Sequence, residues 1–367
     1  MKLFDYFKKS KQAKSRISQA YSSGLSRGVC LILIFSAVLC LSSCGRWGAS
    51  AQKKTYYEFF DTVCTVSYYG NRGADYFEET AEFIEEELEG YHRLFDAYHE
   101  YAGMKNLCSV NSSAGIAPVA VDSSLFELIA YGKEVYALTG GEVNIAFGAV
   151  TSLWKEAQKQ ADGQGTGNCL PTREALTEAS GHTSIDIIVL DREKSTVYLS
   201  DSYASLDVGA IGKGFAAERI AESLKARGDE SFVLDLGGNI RVIGSKPDGS
   251  GWITGIENPN VNSTDAFIAR VELIDESCVT SGDYRRYFII DGKRYHHIID
   301  RDTLYPAELF SSVTVIASDS GLCDALSTAL FCMPLEEGRA LLSGLDGVEA
   351  IWVTRDGEVI WSDERGA

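Results

Sequence analysis

The chain has 367 residues and a formal charge of −18, with 34 Lys and Arg against 52 Asp and Glu. So acidic a balance argues against nucleic acid or anionic lipid as a binding surface, and any anionic substrate must be met by a metal or a local cationic pocket. Much of the charge needs no partner, because it also keeps an exported protein soluble.

The N-terminus has the pattern of a targeting segment. Lys2, Lys8, Lys9, Lys11, Lys14, Arg16 and Arg27 precede an apolar stretch from Val29 to Leu41, short for a membrane span. The stretch ends in Leu41-Ser42-Ser43-Cys44, which resembles a lipobox. Residues 1–43 are therefore expected to be a lipoprotein signal peptide and Cys44 the lipidated first residue; a membrane helix with an incidental Cys is the alternative. Removing the seven Lys/Arg and one Asp of that segment takes the formal charge to about −24. Either way the body is expected on the extracytoplasmic face of a membrane. Residues 44–55 are small and polar and predict a tether, leaving 56–367 as a single domain. The six Cys beyond Cys44 show no CxxC or finger spacing, which points mostly to free thiols, although an exported chain could pair some.

Along the body, alternation predicts a strand from Thr62 to Tyr69, and helical spacing with an acidic outer face predicts a helix from Ala74 to Phe95. Leu125 to Thr139 predicts a second helix capped by Asp122 or Ser123. The Gly-rich run 159–168 predicts a loop. Ile185 to Leu190 and Thr196 to Leu199 predict a hairpin about Asp191-Arg192-Glu193. A helix at Phe215 to Lys225 is followed by a buried strand at Phe232 to Leu236 and by strands at 252–257, 267–274, 285–290 and 312–317. Helices at Ser320 to Phe331 and Leu335 to Leu342 precede a terminal hairpin, 348–353 and 358–361. Many strands with only some helices between them favour an α+β domain over a doubly wound sheet.

Five motifs interrupt these elements: Gly140-Gly141-Glu142-Val143-Asn144-Ile145-Ala146-Phe147-Gly148, Asp207-Val208-Gly209-Ala210-Ile211-Gly212-Lys213-Gly214, Asp235-Leu236-Gly237-Gly238-Asn239, Thr280-Ser281-Gly282-Asp283-Tyr284 and Asp324-Ala325-Leu326-Ser327-Thr328-Ala329. Asp324 and Thr328 are spaced i, i+4 and share a helix face, where a carboxylate and a hydroxyl suit Mg²⁺ or Ca²⁺. A dipole-favoured Asp with a back-bonded Thr fits the same spacing. At 207–214 three glycines allow a tight turn into a helix whose N-terminus, with Lys213, favours an anion. The glycine spacing is not that of a dinucleotide-binding βαβ unit. His296 and His297 point oppositely on a strand, so only one can face a site.

Together and in this order, the motifs resemble the ApbE family of FAD:protein FMN transferases over roughly residues 56–330. The resemblance implies a two-lobed, T-fold-like α+β domain with mixed sheets, flanking helices and an FAD site between the lobes. It implies FAD contacts at Phe60, Tyr98, Glu142, Val143, Asn144, Asp207, Lys213 and Ile299, and a metal at Asp324, Thr328 and the Ala210 carbonyl. His297 is the family's His, with Asp324 the other catalytic position. The implied activity is Mg²⁺-dependent transfer of FMN from FAD to a Ser or Thr hydroxyl of extracytoplasmic flavoprotein subunits of membrane redox complexes, releasing AMP. An FAD pyrophosphatase and a non-catalytic flavin-binding lipoprotein are the alternatives. Four departures stand out: Phe60 in place of a frequent Met, Asn144 in place of a frequent Asp, Ala146 in place of Pro or Thr, and Asp300-Arg301-Asp302-Thr303-Leu304 in place of Asp-Pro-x-Thr-Gly.

Overall fold

The computed structural model describes residues 50–164 and 169–362. The expected signal peptide and the lipidation site Cys44 lie outside the described residues. The chain opens with strands β1 (Ser50–Tyr56) and β2 (Cys64–Gly70), a hairpin closed at its tip by the Thr62 N–H donating to the Phe59 carbonyl at 3.1 Å. β1 overlaps the segment expected to be a tether, and among the described residues Ser50–Tyr56 is a paired strand. Helix α1 (Ala74–Phe95) follows, burying Phe77, Ala81, Ile84 and Leu88 on one stripe. Next come α2 (Leu107–Ser112), β3 (Val119–Ala120), and α3 (Ser123–Leu138), whose N-cap is Asp122. Helix α4 (Gly148–Gln164) covers part of the run expected to be a loop, because Val150, Trp154 and Ala157 at i, i+4 and i+7 bury against a hairpin further along the chain.

The middle of the chain contributes α5 (Arg173–Ser180), the paired strands β4 (Ile188–Asp191) and β5 (Thr196–Leu199), and α6 (Gly212–Arg227), which ends at a left-handed Gly228. Strands β6 (Phe232–Leu236), β7 (Asn239–Ile243), β8 (Trp252–Glu257), β9 (Phe267–Leu273), β10 (Ser277–Gly282), β11 (Tyr287–Ile290), β12 (Lys293–His296) and β13 (Phe310–Ala317) follow. Helices α7 (Ser320–Cys332) and α8 (Leu335–Ser343) and the hairpin β14 (Glu349–Thr354) and β15 (Val359–Trp361) complete the described fold.

An antiparallel sheet of eight strands, in the order β1-β2-β6-β7-β10-β13-β14-β15, organises the rest. One face carries α1 and α6 over Val66, Phe232 and Leu234, and α7 over Val279, Val313 and Val315. The hairpin β8–β9 covers the other face, packing Ile256 and Leu273 against Val242, Cys278, Ile316 and Ile351. A small sheet, β3-β5-β4, and α3 pack into the same core as α7 through Leu125, Ile129, Val197 and Leu199. The third packing unit sets α4 against β11–β12 through Trp154, Phe288 and Leu304. Cys64, Cys108, Cys169, Cys278, Cys323 and Cys332 are all free thiols.

Three of these elements meet at one buried charge pair. Arg241 on β7 donates to Glu218 on α6 (Nε to Oε2 2.9 Å, Nη2 to Oε1 3.2 Å), and Glu218 also accepts the Ser320 N–H at the start of α7 at 2.9 Å. Both side chains are almost wholly buried. Arg241→Met would strand Glu218 without its partner. Urea unfolding of the soluble body is expected to show a loss of about 3–5 kcal/mol, and adding Glu218→Gln is expected to recover more than half of it.

Candidate flavin and metal site

The turn from Asp207 to Ile211 drives the chain into α6 and brings two helix N-termini together. Gly212 and Ile211 donate backbone N–H groups to the Val208 carbonyl at 2.7 and 3.0 Å. A Cβ on Gly214 would lie 2.3 Å from the Ser320 carbonyl oxygen and 2.5 Å from the Asp324 Cβ, so only glycine permits this approach of α6 to α7. The same contact lets the Gly214 N–H donate to Asp324 Oδ2 at 2.8 Å. Lys213 Nζ stands 3.8 Å from Asp324 Oδ1, an ion-pair distance beyond hydrogen bonding. One turn on, Thr328 is the single residue of α7 that is not fully buried, and its Oγ1 lies 3.2 Å from Ser281 Oγ. Ala210, half-buried, sits in the turn just ahead of α6. Asp324 and Thr328 thus share one corner of α7 beside the α6 N-terminus, and Ala210 lies two residues ahead of that helix. Among the described residues no three His, Cys, Asp or Glu side chains gather as a metal cluster. The donors fit a hard cation that takes its remaining ligands from phosphate and water: Asp324 is a buried carboxylate with one oxygen not hydrogen-bonded, and Thr328 opens beside it.

Asp207 heads a second cluster. Its Oδ2 accepts from Thr151 Oγ1 at 2.8 Å and Lys155 Nζ at 3.0 Å, and its Oδ1 from the Gly209 N–H at 2.9 Å. Burial alone would raise its pKa, but Lys155 and these hydrogen bonds hold it below the ordinary value. The Lys155 ammonium stands 4.5 Å from the centroid of the Tyr98 ring and also bonds the Tyr98 hydroxyl. Burial works against the charge of Lys155, yet Asp207 and Tyr98 raise its pKa. Tyr98, Lys155 and Asp207 therefore form one rigid wall.

The loop 140–148 reaches this wall through the Asp207 N–H, which donates to the Ile145 carbonyl at 2.8 Å. Its three expected contacts are disposed differently. Val143 is a core side chain, so contact with a ligand would run through its backbone. Asn144 accepts from the Ala146 N–H at 2.9 Å and donates to the Thr183 carbonyl at 2.8 Å, so its amide holds the loop together. Glu142 is partly buried, which raises its pKa, while Arg301 offsets this with Nε 3.1 Å from Oε1.

The two histidines separate. His296 is buried, with Nε2 on the Ala307 carbonyl at 2.8 Å and its ring edge-on to Phe331. His297 is exposed, with Nδ1 on the Arg286 carbonyl at 3.1 Å. A carbonyl only accepts, so Nδ1 carries the proton and Nε2 is the free lone pair. The ring is open to solvent on one side and crowded by protein on the others. That burial, with Arg286, His296 and Lys213 as like charges, lowers its pKa to about 4 and keeps it neutral at pH 7. Ile299, half-buried beside it, bridges to Pro306 and packs in the α4 unit.

The family model for ApbE matches residues 60–352. The chain belongs to the ApbE family. An FAD:protein FMN transferase of Treponema pallidum is 33% identical over 341 residues, covering 89% of this chain and 91% of its own. A Klebsiella pneumoniae protein of the same name is 33% identical over 254 residues, 69% and 76% of the two chains. Among solved structures, the ApbE protein of Thermotoga maritima superposes with a TM-score of 0.72 at 28% identity, over 85% of this chain and 96% of that one. The flavin transferase ApbE of Vibrio cholerae gives 0.72 at 26%, over 86% and 98%.

Two of the departures from the ApbE pattern, Phe60 and the Asp300–Leu304 run, have structural counterparts. Phe60 lies in a left-handed turn, φ 54°, its ring edge-on to His92 at 5.8 Å. Leu304, in place of the usual Gly, also adopts positive φ, 64°, and is held there by burial and by Trp154 Nε1 donating to its carbonyl at 2.9 Å. Arg301, in place of the usual Pro, bonds both Glu142 and the Gly140 carbonyl. Gly237, in the Asp235-Leu236-Gly237-Gly238-Asn239 turn, is pressed against Thr62: a Cβ there would sit 2.0 Å from Thr62 Oγ1. Thr151, Lys155 and Arg286 lie outside the sequence motifs, and Arg301 stands in one of them without its partners Glu142 and Gly140 being legible there. The first two could have been found from the apolar stripe of α4, which fixes the face they share.

The pKa of His297 gives a signed prediction. The unfolded chain takes up a proton near pH 6.5 that the folded chain refuses until about pH 4. Wild type is therefore expected to lose stability relative to His297→Gln as pH falls from 6.5 to 4, and the two to run parallel above pH 7. Denaturant titrations across that range measure the difference.

Proposed function

We propose that this ApbE-family chain transfers FMN from FAD to a Ser or Thr hydroxyl of another protein and releases AMP. The observation that carries this reading is the position of Lys213. It lies 3.8 Å from Asp324 and close enough to His297 to help lower its pKa, so a candidate base and a hard-oxygen corner flank one cation. FAD:protein FMN transferase is also the name of the Treponema and Klebsiella relatives.

In this mechanism His297 Nε2 accepts the proton of the acceptor hydroxyl while its Nδ1–H stays on the Arg286 carbonyl. The acceptor oxygen forms a P–O bond to the FMN phosphorus, the pyrophosphate P–O bond breaks, and AMP leaves with the electron pair. Lys213 offsets charge on the phosphate oxygens, and the Tyr98–Lys155–Asp207 wall limits how the flavin can sit. Asp324, Thr328 and the Ala210 carbonyl would hold Mg²⁺, which neutralises pyrophosphate charge when bound. Lipidation at Cys44, an extracytoplasmic location on the membrane and acceptors among membrane redox flavoproteins belong to the same proposal. They rest on the lipobox-like sequence and on the resemblance.

Incubating the body (residues 45–367) with FAD, Mg²⁺ and a candidate acceptor domain, then taking intact mass, tests the reading. The acceptor is expected to gain FMN less water, only with Mg²⁺. Asp324→Asn and His297→Ala are each expected to lower the rate by about 100-fold or more. Free FMN and AMP with an unmodified acceptor would mean hydrolysis, and unchanged bound FAD would mean a binding protein.

A further inference from the structure

The tip of the β1–β2 hairpin is strained. Phe60 and Asp61 are consecutive non-glycine residues in the left-handed region, φ 54° and 51°, where a two-residue turn ordinarily takes Asn-Gly. The Phe59–Thr62 hydrogen bond closes the turn but does not relieve it. Relief comes from two outside groups. The Phe60 N–H donates to His92 Nδ1 at 3.2 Å. Arg286 Nη2, in the connection between β10 and β11, donates to the Phe60 and Asp61 carbonyls at 3.0 Å each. Neighbouring Arg285 is paired with Glu257, whereas Arg286 uses its charge on these two carbonyls.

Arg286 is also the residue whose own carbonyl accepts from His297 Nδ1. One residue therefore joins the expected flavin contact to the expected base, although Phe60 and His297 stand 237 positions apart in the chain. We propose that Arg286 is a positioning residue: its guanidinium clamps the strained Phe60–Asp61 turn to the segment whose carbonyl sets the His297 ring, so flavin seat and base move as one unit. The inference rests on the flavin-transfer reading for its purpose, but not for its geometry. Strain makes the clamp necessary. Without the two charge-assisted bonds the turn has reason to relax into another conformation, and the connection carrying the Arg286 carbonyl loses its anchor. The His297 ring would then be free to change tautomer or rotate, exchanging the aimed Nε2 lone pair for a mixture.

The test compares the full-length wild type with Arg286→Met, which keeps the aliphatic bulk, and Arg286→Lys, which restores one donor. Three readouts are taken: FAD affinity by flavin fluorescence, the His297 tautomer by ¹⁵N imidazole shifts (assigned with His297→Gln), and kcat and KM for FMN transfer. A thermal melt checks the fold. Arg286→Met is expected to melt normally, to weaken FAD binding about tenfold, to lose the pure Nδ1–H signature and to lower kcat by about tenfold; Arg286→Lys is expected to recover a substantial part of each. The proposal is overturned if Arg286→Met changes FAD affinity without changing the tautomer, or the tautomer without the affinity, or neither. It is also overturned if all losses track a lowered melting temperature with no recovery by Lys. Because affinity and tautomer are read without an acceptor, a wild type that binds FAD but flavinylates nothing would count against the transfer reading alone.

Discussion

The Glu218 carboxylate, held between Arg241 and the Ser320 N–H, is the constraint on which the rest of this structure depends. It fixes α6 to the central strand β7 and to the start of α7 at one level of the core. One helical turn toward the cleft along both helices, that alignment brings Gly214 onto Asp324. One turn further along α7 lies Thr328, across from Ser281 at the end of β10. A buried charge pair is weak evidence of stability in itself, because desolvation opposes it. Its value here is registry. A sliding of α6 against α7 by one turn would separate Lys213 from Asp324 and leave Gly214 without a purpose.

The walls of the cleft obey the same economy of groups. Asp207 has its acceptors filled by Thr151, Lys155 and Gly209, and Asn144 has both ends of its amide engaged, on Ala146 in the loop and on the Thr183 carbonyl outside it. These side chains shape the space and leave few donors free to misdirect a ligand. By contrast Asp324, Lys213, Thr328 and His297 keep unsatisfied capacity, and they lie where the two helices and the His297 segment face each other. Preorganised walls around an under-satisfied centre are what charge stabilisation in a phosphoryl transfer needs.

The fold and the site were legible in the sequence to different degrees. Helices α1, α3, α6 and α7 and strands β2, β6, β8 and β13 follow directly from period and capping, as Asp122 ahead of α3 shows. β1 escaped because Ser50–Tyr56 is a solvated edge strand with little apolar alternation, and pairing with β2 supplies what its sequence lacks. α4 was hidden by Gly, Gln and Asp at its end, and tertiary packing of Trp154 overrides those weak local preferences. Within the site, the motif-borne residues Asp207, Lys213, Asp324 and Thr328 were visible because each sits where a glycine turn meets a helix or on a helix face. Lys155 and Arg286 were not, since each acquires its meaning from a partner far along the chain, Asp207 in one case and Phe60 in the other.

The acid-shifted imidazole has a consequence for timing. With its pKa lowered to about 4, His297 by itself is a weak base for a proton taken from a resting hydroxyl. An anion beside it raises its proton affinity, and under the flavin-transfer reading a pyrophosphate seated near Lys213 would supply one, to the extent that Mg²⁺ leaves its charge uncompensated. Under the flavin-transfer reading, the substrate thus prepares its own base: basicity appears only when the donor is in place. The linkage runs both ways, so a proton on His297 would tighten the hold on the anion. Under the same reading, a nucleophile that arrives ahead of the donor would meet only a weak base.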